Sequence, residues 1–211
     1  LSQSLPAVID PVLIDAPAGG DCDGLPPTIQ IDGAETSGSG LVVTSGGTTI
    51  RGLSITGFPG SGIVLQGAGG NVVECSYVGV EPNGVTGRGN ALDGIQIIDS
   101  AGNRLGGAAA TLRNIISANG GEGVGVYGAA ATGNVIAGNY IGTDASGAAA
   151  LGNNASGVYI RRAPDNFVTG NVVSANNNPP AGFAGVAVCG SAAFCGGGDL
   201  GTPGSNASGN V

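Results

Sequence analysis

The chain has 211 residues, of which 41% are hydrophobic, 4% aromatic and 9% charged, with a net charge of -8. It contains 44 glycines, no His, Met or Trp, and no lysine; Arg51, Arg88, Arg104, Arg113, Arg161 and Arg162 are its basic residues. There is no basic stripe for nucleic acid, no histidine for the usual nucleophilic triad, and no run of ~18 apolar residues for a membrane span. The apolar material is ample but small, which favours a narrow core lined by Val, Ile, Leu and Ala over a thick globular one.

In chain order, Leu5 to Asp15 and Thr28 to Gly33 read as extended segments with Pro-rich joints. Residues 1–39 are therefore expected to form irregular N-terminal coil, and 40–211 a single solenoid domain. Between the two extended segments, Asp21-Cys22-Asp23-Gly24 offers oxygen ligands but lacks the later carboxylate of a calcium loop, and reads as a turn.

From Gly40 onward a unit recurs, a glycine followed by a three-residue strand: Gly40 to Val43, Gly62 to Leu65, Gly94 to Ile97, Gly123 to Val126, Gly157 to Ile160 and Gly185 to Val188. The first interval is 22 residues, enough for three short strands and three corners; the later ones are 32, 29, 34 and 28, so the excess leaves as loops. Alternation such as Ile95-Gln96-Ile97 points two side chains inward and one outward. A longer period of 63 residues lies over this one: Asn71-Val72-Val73 with Tyr77-Val78-Gly79 returns as Asn134-Val135-Ile136 with Tyr140-Ile141-Gly142. The pattern predicts an all-β parallel β-helix of about six to eight coils in a 63-residue double-coil repeat.

Nine residues after the leading glycine comes Thr49, Asn71, Asn103 or Asn166, with Asn134 displaced to eleven. Asparagine tolerates left-handed backbone and can bond its own kind in the coils above and below, so a ladder of Asn71, Asn103, Asn134 and Asn166 is expected. The insertions Glu81 to Asp93 and Thr143 to Ser156 fall at one corner two coils apart, and Gly106 to Arg113 leaves the coil between them. One side of the solenoid should carry the loops.

The run from Gly133 to Asn153, with Arg113 to Asn119 and Leu5 to Asp15, resembles the right-handed parallel β-helix repeats of large secreted and cell-surface bacterial proteins. The resemblance covers about Leu5 to Asn177 and implies a right-handed, pectate-lyase-like architecture. It implies an extracellular or cell-surface location and carries no particular activity.

Chemistry is thin. The residues before the leading glycines are Ser61, Asp93, Glu122 and Ser156, which puts Asp93 and Glu122 roughly 5 Å apart on adjacent coils at strand spacing. They read either as a catalytic pair or cation site, or as two solvated corner carboxylates with no third partner. No cofactor and no metal centre is implied. Cys189 and Cys195 enclose five residues and suit a small disulfide, whereas Cys22 and Cys75 are free, paired or buried as small apolar residues.

The expectation is an extracellular structural or adhesive β-solenoid, in contact with itself or with cell-surface glycans and self-assembling end to end through its strand edges into a filament. The alternative is a carbohydrate-binding or polysaccharide-cleaving protein using the looped side.

Overall fold

A computed structural model describes residues 3–16, 26–176 and 185–190. The short apolar segments form strands that stack into three parallel sheets. Sheet 1 holds β1 (Leu13–Asp15), β4 (Thr49–Arg51), β7 (Val72–Glu74), β10 (Arg104–Gly106), β13 (Val135–Ala137) and β16 (Phe167–Thr169). Sheet 2 holds β2 (Ile29–Asp32), β5 (Leu53–Thr56), β8 (Tyr77–Val78), β11 (Ile115–Ile116), β14 (Tyr140–Ile141) and β17 (Val172–Val173). Sheet 3 holds β3 (Leu41–Val43), β6 (Ile63–Gln66), β9 (Ile95–Ile98), β12 (Val124–Tyr127), β15 (Val158–Arg161) and β18 (Val186–Cys189). Every third strand belongs to the same sheet, so the chain winds through sheets 1, 2 and 3 in turn and lays each coil on the last.

Register follows from alternation. In sheet 3, Ile63, Ile95, Val124 and Val158 form one column and Leu65, Ile97, Val126 and Ile160 another. Sheet 1 contributes Ile50, Val73, Leu105 and Ile136, and sheet 2 contributes Ile55, Val78, Ile116 and Ile141. All of these are fully buried in one core cluster. Each such side chain contributes roughly 1.5–3 kcal/mol when buried, yet only against neighbours in the coils above and below, so no coil holds alone. Residues before Gly40 join the same stack. Leu13 pairs with Thr49 and Ile29 with Leu53, and Val8 makes one parallel bridge to Val43.

Residues 80–93 and 143–156 leave the solenoid between sheets 2 and 3, each closed by an antiparallel bridge, Val80 to Gly87 and Thr143 to Ala150. The loops touch, with Ala145 N donating to Gly84 O at 2.9 Å. Residues 107–113, with a 3-10 turn at Ala110–Leu112, leave between sheets 1 and 2. All three loops border sheet 2. Its outer face is thereby walled on both edges.

Cys75 and Cys189 are each disulfide-bonded, and among the described residues no cysteine is free. Cys22 and Cys195, and with the latter the expected Cys189–Cys195 bridge, lie outside the described residues, as does the Asp21 to Gly24 segment. Among the described residues no helix is long and apolar enough to cross a membrane.

Candidate functional site

The corners set the frame on which any site is held. At the corner before sheet 1, Asn71, Asn103 and Asn134 each donate Nδ2 to Oδ1 of the next asparagine, ending on Asn166, at 3.0, 2.8 and 2.8 Å. The same Oδ1 atoms accept the backbone N–H of the preceding asparagine. Above Asn71 the position belongs to Thr48, whose N–H donates to Asn71 Oδ1, and not to Thr49, which is held in the strand opposite Val72.

Two further columns escaped the sequence reading. Asn114, Asn139 and Asn171 are linked at 3.0 and 3.0 Å before sheet 2. Asn90, Asn119, Asn153 and Asn176 are linked at 2.9, 2.9 and 2.8 Å before sheet 3. Each of the three corners thus carries its own column of amides, most of them fully buried. Burying polar groups this deeply is tolerated only because each amide has a partner on both sides.

Asp93 and Glu122 sit side by side at the entry to sheet 3. Asp93 is only 5% exposed, and its carboxylate is fully engaged. Oδ1 accepts the backbone N–H of Glu122 at 3.0 Å; Oδ2 accepts the Tyr127 hydroxyl at 3.1 Å and Gln96 Nε2 at 3.2 Å. Burial, a hydrogen bond to the Asp93 carboxyl and the Asp93 charge push the Glu122 carboxyl up to about 7. The Tyr127 phenol is pushed well above its usual range by burial and by the charges of Asp93 and Glu122. Its ring packs against Tyr159 with centroids 6.0 Å apart.

Gly125 makes the cluster possible. It faces outward between Gln96 and Tyr159, and a Cβ there would stand 2.5 Å from the Tyr127 ring and 2.7 Å from Asp93 Oδ2. Its missing side chain is the space into which Tyr127 folds back.

This arrangement is chemically a proton-sharing dyad. Asp93 is buried with both oxygens accepting bonds from within the protein, so it does not present the second, substrate-facing carboxylate that glycoside cleavage requires. No arginine converges on the pair: the ion pairs among the described residues join Arg51 to Asp15, Arg88 to Asp32 and Arg104 to Glu74. Among the described residues no group of three or more His, Cys, Asp and Glu is placed to hold a metal.

The second feature is the walled face of sheet 2. Tyr77, Ile115 and Tyr140 share one outward column along its floor. The two stacked loops press glycines against the tyrosines. Gly84 and Gly147, with φ of 74° and 76°, would each bring a Cβ toward a ring, at 3.5 Å from Tyr77 and 2.6 Å from Tyr140. Glycine is therefore required at both by backbone conformation and by space, since a Cβ at Gly84 would also stand 2.7 Å from Ala145 Cβ. On the opposite wall the Arg113 guanidinium lies over the Tyr140 ring, 3.9 Å from its centroid, and Nε donates to Gly138 O at 3.0 Å. A hollow opens here, lined by Cys75, Tyr77, Thr111, Arg113, Ile115 and Ala145 among others.

Comparison with protein families gives a match to the model described as "Right handed beta helix region" over residues 39–194. Comparisons with curated proteins and with solved structures each give no match.

Proposed function

The chain belongs to the right-handed β-helix family, and within that fold we propose that it serves as an extracellular structural or adhesive solenoid, a stiff rod whose walled face makes the contacts. The observation that carries this reading is the set of three buried asparagine columns, one per corner, which hydrogen-bond successive coils to one another. Bonded Cys75 and Cys189 support an oxidising compartment. Self-association end to end is part of the reading. Among the described residues β1, β2 and β3 bound the three sheets on one side and β16, β17 and β18 on the other, and the outer edges of these strands are what a second copy would pair with.

Negative-stain electron microscopy of the native protein, with its mass in solution, tests the assembly. Filaments whose axial repeat is a multiple of the ~4.8 Å coil rise are expected. Short rods of monomer mass at every concentration would remove the filament.

A second reading, a carbohydrate-binding face on sheet 2, is favoured by the tyrosine floor between loop walls. Its cleaving version is disfavoured by the burial of Asp93, whose two oxygens are engaged within the protein.

A further inference from the structure

Three of the six arginines, Arg51, Arg88 and Arg104, neutralise a carboxylate within the fold. Arg113 joins no ion pair among the described residues, although the chain as a whole is acidic. It is nonetheless held in place. Tyr140 supports the flat face of the guanidinium and Gly138 O fixes Nε, which leaves the Nη atoms without a hydrogen bond among the described residues and available as donors. A guanidinium fixed in this way loses little freedom on binding, and its fork matches the paired oxygens of an oxyanion.

The surroundings of Arg113 point the same way. Thr111 supplies a hydroxyl on the same wall, and the Tyr77 phenol, raised by burial, stays protonated and able to donate. Ile115 and the Tyr77 ring give the floor an apolar patch, and Ala145 closes the far side without adding charge. The acidic side chain of the neighbouring loop is turned inward, since Asp144 accepts from Ser146 Oγ and from the backbone of Ala148 and Ala149. Among the described residues the hollow therefore offers one cation, two hydroxyls and an apolar floor.

We propose that this hollow on sheet 2 is an oxyanion site, in which Arg113 takes the carboxylate or sulfate of a ligand whose apolar flank rests on Tyr77 and Ile115. The site rests on the carbohydrate-binding reading of the same face and deepens it by assigning the charge of the ligand.

The test is titration of the full chain, labelled with nitrogen-15, with glucuronate, glucose 6-sulfate and glucose, following the Arg113 Nε–H signal by NMR. Both acids should shift that signal saturably, and their relative affinities tell carboxylate from sulfate; glucose should not shift it. Because Arg113→Gln also removes the Tyr140 contact, Thr111→Glu is the decisive variant. Residue 111 is exposed, so the fold should survive while a carboxylate on the wall weakens acid binding at least tenfold. An Arg113 signal unmoved by either acid, or full binding by Thr111→Glu, would overturn the site. Glucose bound as well as the acids would also overturn it, while leaving the neutral-glycan reading standing.

Discussion

The backbone N–H of Glu122 donates to Asp93 Oδ1 at 3.0 Å, so the carboxylate of one coil tethers the main chain of the next. Burial of the Glu122 carboxyl, with the Asp93 carboxyl hydrogen-bonding and repelling it, is why its proton is retained up to about 7 in the fold against an ordinary 4.5. The folded state therefore binds this proton more tightly than the unfolded chain does. Stability contributed by the protonated dyad is fully present below pH ~4.5 and declines as pH rises through 7. Allowing for the partial exposure of Glu122, the loss should be of order 2 kcal/mol. Denaturant midpoints between pH 5 and 8.5 should fall for the parent chain and stay flat for Glu122→Gln, whose amide keeps a donor toward Asp93 at every pH. Equal slopes in the two proteins would remove the dyad as the source.

The Tyr127 hydrogen bond to Asp93 exists because Gly125 leaves room for the ring. Replacing Gly125 by Ala should expel the ring and break the bond, and Tyr127→Phe should break the bond alone. A hydrogen bond to a charged group is worth about 1.5–3 kcal/mol, so Tyr127→Phe should cost up to about that much and Gly125→Ala more. The two costs should not add, because both remove one contact. A double variant as destabilised as the sum of the singles, read from unfolding curves, would mean that Gly125 acts elsewhere.

Disulfide-bonded Cys75 and Cys189 bear on where the protein is made. Thiol titration of the native protein, unfolded in denaturant without reductant, should find no reactive thiol, and prior reduction should lower stability by about 2–4 kcal/mol. A full complement of free thiols would place the chain in a reducing compartment and undo the extracellular reading.

The solenoid was legible because its core is periodic: alternation in Ile95-Gln96-Ile97 and the 63-residue return of Asn71 as Asn134 both reflect one coil stacked on another. The polar corners were legible only in part. Asn90, Asn119 and Asn153 each lie four residues before a leading glycine, and Asn139 and Asn171 lie five after Asn134 and Asn166, signals as regular as the one that was read. Counting forward from the glycines hid them, since the loop at 107–113 interrupts the spacing between Asn103 and Asn114. Tyr127 was not legible at all. Its contact with Asp93 depends on a ring lying back across Gly125 and on a neighbour 34 positions away in the chain, and neither leaves a mark on local pattern. The stacking of Arg113 on Tyr140 is likewise a meeting of a loop residue with a strand residue of the next coil.

The three amide columns differ in what a single substitution should do. Asn134 is fully buried; its Oδ1 accepts both the N–H and Nδ2 of Asn103, and its Nδ2 donates to Asn166 Oδ1. Asn134→Ala leaves two buried donors without that acceptor, at roughly 1–3 kcal/mol for each group stranded, so a loss of about 3 kcal/mol or more is expected. Asn134→Asp keeps the acceptor but sets a carboxylate oxygen against Asn166 Oδ1, so it should be tolerated when protonated and costly at neutral pH. Asn176, at the partly exposed end of its column, has Oδ1 accepting from Asn153 but lies where water can replace it. Asn176→Ala should therefore cost about 1 kcal/mol or less. Chemical denaturation of the three variants at pH 5 and pH 8 checks the order, and amide hydrogen exchange at Asn103 locates the loss. Equal costs for Asn134→Ala and Asn176→Ala would mean that the columns add little to the cohesion of the rod, and the stiffness argued for it would then rest on the apolar core alone.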